Sequence, residues 1–229
     1  MQVESRNTVH LGANYVMTPA PVLTNSTQMG FIRILGEFGV EFSGIQRQDG
    51  MLTITVGNAN PPSLQIIVGA NQQGPIGQLV VLAPNGSMDA TMFAEQLEAI
   101  TGAFSTNWPE HFQIAQLDIT IRDLYDTSGP HAFVELWEQR LNQSHETLEV
   151  FGRQILGGGL RFVFPPLDEQ PLTELKIESF LSDTSKLFVE AQFIWKQNVP
   201  QITLGDSKIR VTQVNEFIQN KVTKFIQGG

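Results

Sequence analysis

His131, Glu135, Glu138, Asn142, His145 and Glu149 follow one another at intervals of three or four residues. Residues so spaced share one face of an α-helix, and a His and a Glu one turn apart can hold a divalent ion. The chemistry such a stripe offers is metal-assisted hydrolysis, with His131, Glu135, Glu138, His145 and Glu149 as the metal-ligand candidates. Di-metal helical bundles draw their carboxylates from four facing helices, however. The other candidate helix supplies only Glu95 and Glu98, and no H-E-x-x-H occurs. The stripe therefore reads first as the solvated side of an amphipathic helix. No metal or other cofactor and no catalytic residue is expected.

Asp118, Asp123 and Asp126 form a second acidic group. An acidic strand end can bind Mg²⁺ or act as a general base. Turn chemistry ahead of Ser128-Gly129-Pro130 explains the same residues more simply. No G-x-S-x-G elbow accompanies the scattered His10 and His111, so nucleophilic hydrolysis has no support. Gly157-Gly158-Gly159 precede a strand pattern and follow a helix pattern. A phosphate-binding loop needs the reverse order, and Leu160-Arg161 stand where Lys-Ser/Thr would be required. The glycines are expected to end the helix in a left-handed turn and lead into the strand. Arg161 alternates with Leu160 and Phe162, which puts it on the opposite sheet face, where a buried ion pair would need a carboxylate partner.

These residues must be positioned by the elements around them. Residues 1–30 read as turn-rich, with at most a short strand in VHLGANYVM. FIRIL, GVEFSGIQRQ, MLTITVG, SLQIIVGA and QLVVLA read as strands, with a hairpin at Asp49-Gly50, a loop at Asn60-Pro61-Pro62 and a turn at Gly74-Pro75. Asp89 is a candidate N-cap for a helix whose apolar stripe is Phe93, Leu97, Ile100 and Phe104. FQIAQLDITIRDLYD alternates as a strand. A second helix follows, with Val134, Trp137, Leu141, Leu148 and Phe151 on its apolar side. LRFVF, LTELKIESFL and KLFVEAQFIWKQ are strands, and VTQVNEFIQNKVTKFIQ closes the chain as an amphipathic helix. Strand and helix blocks in this order predict an α+β fold, with antiparallel meanders packed by about three principal helices. The expected organisation is one domain over 1–229, with a possible division into 1–105 and 106–229.

The helix, the Gly159-Leu160-Arg161-Phe162 entry, LTELKIESFLSDTSKLFVEAQF and the closing helix together resemble a sporadically distributed family of uncharacterised bacterial α+β proteins. In that family a G-[LI]-R-[YF] strand follows a helix, and paired strands precede a closing helix. The resemblance covers the C-terminal third. It implies no known reaction and supplies no catalytic residue. Phe164-Pro165 stand where that family continues with an Asn.

The formal net charge of −9 disfavours phosphate backbones, so no nucleic-acid partner is expected. The last segment is mildly basic, with Lys208, Arg210, Lys221 and Lys224 against Asp206 and Glu216. With no cysteine, disulfides and thiolate chemistry are excluded. The absence of a secretory pattern or a long apolar run predicts a soluble, cytoplasmic protein without a membrane partner. The closing helix carries a wide apolar face, Val214, Phe217, Ile218, Val222, Phe225 and Ile226. Packing on its own sheet is the favoured outcome, and a subunit interface the alternative. The expected role is a non-enzymatic interaction protein whose partner is itself or another protein. The alternative is an apolar-ligand binding module with the many Phe residues lining its pocket, and a metal-dependent hydrolase comes third.

Overall fold

Val3–Thr18 forms one long strand, β1, where the sequence suggested mainly turns. Leu11, Ala13, Tyr15 and Met17 are buried on one face and alternate with Gly12, Asn14 and Val16 on the other. A bulge at Val9 switches the parity, so that Arg6 and Thr8 fall on the covered side before it and Leu11 after it. That switch, with Gly12 and Asn14 in the middle, hides the strand in the sequence. The computed structural model describes residues 2–57, 62–70, 74–153, 155–196 and 202–228, and of His145 the backbone alone. Asn60-Pro61 of the expected loop lie outside the described residues.

After β1 come α1 (Asn25–Glu37), β2 (Phe42–Gln48), β3 (Met51–Val56), β4 (Leu64–Ala70), β5 (Gly77–Pro84) and α2 (Ala90–Asn107). The second half contains β6 (Gln113–Thr127), α3 (Ala132–Gln139), a 3-10 turn (His145–Phe151), β7 (Gly159–Phe164), β8 (Leu172–Ser179) and β9 (Lys186–Lys196). It closes with α4 (Ser207–Phe217), a π-helical turn (Ile218–Val222) and α5 (Thr223–Gln227). The protein is α+β. Its nine strands form a single antiparallel sheet in the order β2-β3-β4-β5-β1-β6-β9-β8-β7. Counted outward from the centre, both halves place their first strand innermost and their last strand beside it. The sheet is more dominant than an expectation of three principal helices suggested.

FIRIL lies in α1, not in a strand. Thr24 and Thr27 cap its start reciprocally, and Gln28, Phe31, Ile32 and Leu35 bury one helical face. Asn107 and Trp108 at the end of α2 donate to Thr27 O and Val22 O at 3.0 and 3.1 Å, fixing the two helices together. The α2 stripe is as the spacing predicts: Phe93, Leu97, Ile100 and Phe104 are fully buried, and the Asp89 carboxylate accepts from Met92 N at 2.8 Å. Phe31, Phe104, Trp108 and Phe112 make one ring cluster with centroids 4.8–6.1 Å apart. Among the described residues no helix is long and apolar enough to cross a membrane.

The second helix is half its expected length. It stops at Gln139, Asn142 adopts a left-handed conformation at φ 50°, and Trp137 Nε1 donates to Ser144 O at 3.2 Å across the break. Phe151, expected on its apolar side, is exposed. The glycine run also works differently from the expectation. The left-handed residue is Gly152, while Gly157, Gly158 and Gly159 permit close approach. A Cβ at Gly158 would stand 2.6 Å from the buried Phe133 ring, and one at Gly159 would stand 2.8 Å from Ile177 O. Gly158→Ala is expected to cost about 1–3 kcal/mol by overpacking. Gly36→Ala, in α1 with nothing within 4 Å of the new Cβ, is expected to gain about 0.4–1 kcal/mol. Chemical denaturation of the two variants checks both signs.

Candidate functional site

Val214, Ile218, Val222 and Ile226 recur every four residues. In a regular α-helix a step of four over-rotates by about 40°, so such a stripe drifts off its face. The π-helical turn corrects this: Thr223 N–H donates to Ile218 O, five residues back, which takes up the surplus residue. All four side chains are buried in the protein's own core. Tyr125 and Thr223 hydroxyls meet at 3.0 Å and hold the turn against β6. Of the six residues weighed as an interface, Phe217, Phe225 and the inner edge of Val222 border open space.

That space is a cleft of about 790 Å³ between the closing helix and the β7-β8-β9 end of the sheet. Phe162 and Phe164 of β7, Thr173 and Leu175 of β8, and Phe193 of β9 face Phe217, Val222 and Phe225. The rings interlock. Phe193 and Phe164 meet Phe217 edge-on at 5.2 and 6.3 Å, and Phe162 meets Phe225 edge-on at 5.8 Å. Gln213, Glu216, Asn220 and Lys221 form the polar margin on the helix side. Phe133 of α3 covers the Gly158 end of β7, and Phe217 of α4 reaches the Phe164 end.

The other face of the sheet carries no helix among the described residues, and it combines a row of charges with apolar side chains such as Ile67, Val80, Leu82, Leu124 and Phe188. His10, Arg122, Glu190, Lys176 and Arg161 are in register across β1, β6, β9, β8 and β7. Glu190 accepts from Arg122 at 2.6 Å and from Lys176 at 2.5 Å, and Arg161 donates to Glu174 at 2.6 Å. Burial works to raise the Glu190 carboxyl, but its bonds to Lys176 and Arg122 hold it below the usual range. Burial and the neighbouring Arg122 charge lower His10. The row neutralises its own charge laterally, as a solvated face does. Arg161 is thus paired but exposed, a correction to the expected buried pair: it sits on the last strand with no layer above it.

A shallow dent of about 200 Å³ lies in this face beside Gly12. Asp118 borders it and accepts from Gln116 at 2.9 and 3.0 Å and from Asn14 at 3.3 Å. Burial raises its carboxyl above the usual range despite these bonds. A carboxyl that binds its proton more tightly in the folded state costs stability when ionised, and the cost vanishes below its unfolded pKa. Asp118→Asn is therefore expected to raise Tm at pH 7 and to leave it unchanged at about pH 3. Thermal unfolding at both values tests the sign.

The sequence-derived metal candidates do not converge. His131 caps α3, its Nδ1 accepting from Val134 N at 3.4 Å. Glu135 and Glu138 belong to α3, while Glu149 lies beyond the break on the 3-10 turn. The His145 side chain lies outside the described residues. Among the described residues no group of three or more His, Asp and Glu side chains is arranged to hold a metal. The three aspartates are divided by strand parity: Asp123 is buried on the helix side, and Asp118 and Asp126 face the other way. The aromatic floor was only half legible. LRFVF places Phe162 and Phe164 on one face, but their meeting with Phe217 and Phe225 is a tertiary contact that the local pattern does not record.

No family model matches the chain, and no curated protein matches it. Among solved structures, the chain is similar to the crystal structure of the di-domain ARO/CYC StfQ from the steffimycin biosynthetic pathway, at 10% identity, with 94% of each chain covered and a TM-score of 0.23. A likeness at that score establishes neither fold nor function.

Proposed function

We propose that the protein binds an apolar small molecule in the aromatic cleft under its closing helix. The observation that carries this reading is the group of Phe162, Phe164, Phe193, Phe217 and Phe225 around open space, in a molecule that buries its other large aromatic clusters. Ligand pockets are typically concavities of about 300–1,000 Å³ with apolar walls and a few polar groups at the margin, and a cleft of about 790 Å³ with Gln213, Asn220 and Lys221 at its edge has that form. A preformed wall of rings gains affinity by removing apolar ligand surface from water, with little reordering of the protein.

Titration with the neutral fluorophore N-phenyl-1-naphthylamine tests the proposal. Saturable enhancement at one site per chain, with a Kd on the order of 1–10 μM, is the expected result. A linear, unsaturable signal would remove the reading.

A further inference from the structure

We propose that the exposed edge of β7 is a self-association surface, on which a second copy of this chain adds its own β7 antiparallel and closes the open side of the cleft. The two edges of the sheet differ in how they are guarded. Natural edge strands avoid pairing through bulges, charges or a cover. β2 has a bulge between Phe42 and Gly44 and ends in Gln46, Arg47 and Gln48. β7 pairs with β8 in an unbroken register, and its one charge, Arg161, is turned to Glu174 on its own sheet. Val163 at 54% and Phe164 at 44% exposure leave both faces of the strand open, next to Leu167 at 64%.

Face parity and charge together select the pairing. For two copies to keep their helix layers on one side of a continuous sheet, facing residues must come from the same face of each strand. Antiparallel pairing centred on any one residue meets this condition, and centring on Phe162 instead of Arg161 avoids setting two guanidinium groups face to face. It sets Phe162 opposite the second copy's Phe162, Leu160 opposite Phe164, and Arg161 opposite Val163. Facing side chains of an antiparallel pair lie about 4.5–5.5 Å apart at Cβ, so the second copy's Leu160 and Phe162 would stand beside Phe164 as the missing wall. The six-residue strand and its apolar side chains are matched by self-complementarity, as a two-fold contact requires.

Light scattering on the full chain at about 100 μM is expected to show a dimer, a concentration suited to a contact smaller than a standard interface. Val163→Lys brings a second cation opposite the second copy's Arg161 and should weaken dimerisation at least tenfold, while circular dichroism stays unchanged because position 163 is exposed. The chain has no cysteine of its own, so Phe162→Cys should form a symmetric disulfide dimer under mild oxidation, and Ile45→Cys on the β2 edge should not. A monomer at that concentration overturns the proposal. So does a dimer indifferent to Val163→Lys, or cross-linking at position 45 instead of 162.

Discussion

Replacing Asp123 by alanine is expected to cost about 3 kcal/mol or more, a large share of the 5–15 kcal/mol that holds a domain folded. Asp123 is fully buried on the helix side of β6. Its carboxylate takes Arg6 Nε at 2.9 Å and the Thr8 hydroxyl at 2.8 Å. Arg6 then reaches Asn215 of α4 at 2.9 Å. This chain of contacts ties the outer part of β1 to the helix that roofs the cleft. Alanine leaves a largely desolvated guanidinium with one remaining acceptor. Breaking one side of a buried pair costs more than the pair itself contributes. Urea denaturation measures the change, and a loss below about 1 kcal/mol would mean that water replaces the carboxylate freely.

Phe217→Ala should cut the affinity for an apolar ligand at least tenfold and cost about 2 kcal/mol of stability. The stability figure lies below the usual Phe→Ala loss of about 3–5 kcal/mol because the ring is only partly buried. The affinity figure follows from area. A ring face that covers roughly 60 Å² of ligand contributes about 1.5 kcal/mol, which is slightly more than a factor of ten. The loss of Phe217 also removes the ring that Phe164 and Phe193 both lean on. Phe217→Leu should recover part of both quantities, and Phe42→Ala on the distant β2 should leave the affinity unchanged.

Where one physical signal dominated, the sequence was readable. The α2 stripe and its Asp89 cap, the Asp49-Gly50 hairpin and the alternation of β6 depend on local periodicity and turn chemistry, and they stand as expected. β1 was obscured by a bulge that reverses its alternation halfway, and FIRIL by a short apolar run that suits a strand or a helix equally. The capping pair Thr24 and Thr27 was the signal that separated the two. α3 ends where Asn142 turns left-handed and Ser144 caps the following 3-10 turn, local features that the three- and four-residue spacing of the stripe masked. The His/Glu stripe disappeared with the helix that would have carried it. The cleft was half readable: its helix wall, Phe217 and Phe225, stood out as surplus apolar surface. Its sheet wall, Phe162, Phe164 and Phe193, comes from two strands far apart in sequence that only the strand order brings to one end of the sheet.

The central claim is that the aromatic cleft, and not the uncovered face of the sheet, receives the ligand. Methyl-resolved NMR of the full chain during titration with N-phenyl-1-naphthylamine tests this most directly. Shifts concentrated on Leu175, Val222 and Thr173, all lining the cleft, with Leu82 and Thr120 beside the Gly12 dent unmoved, are the predicted result. Shifts centred on Leu82 and Thr120, or none at saturating probe, would contradict it.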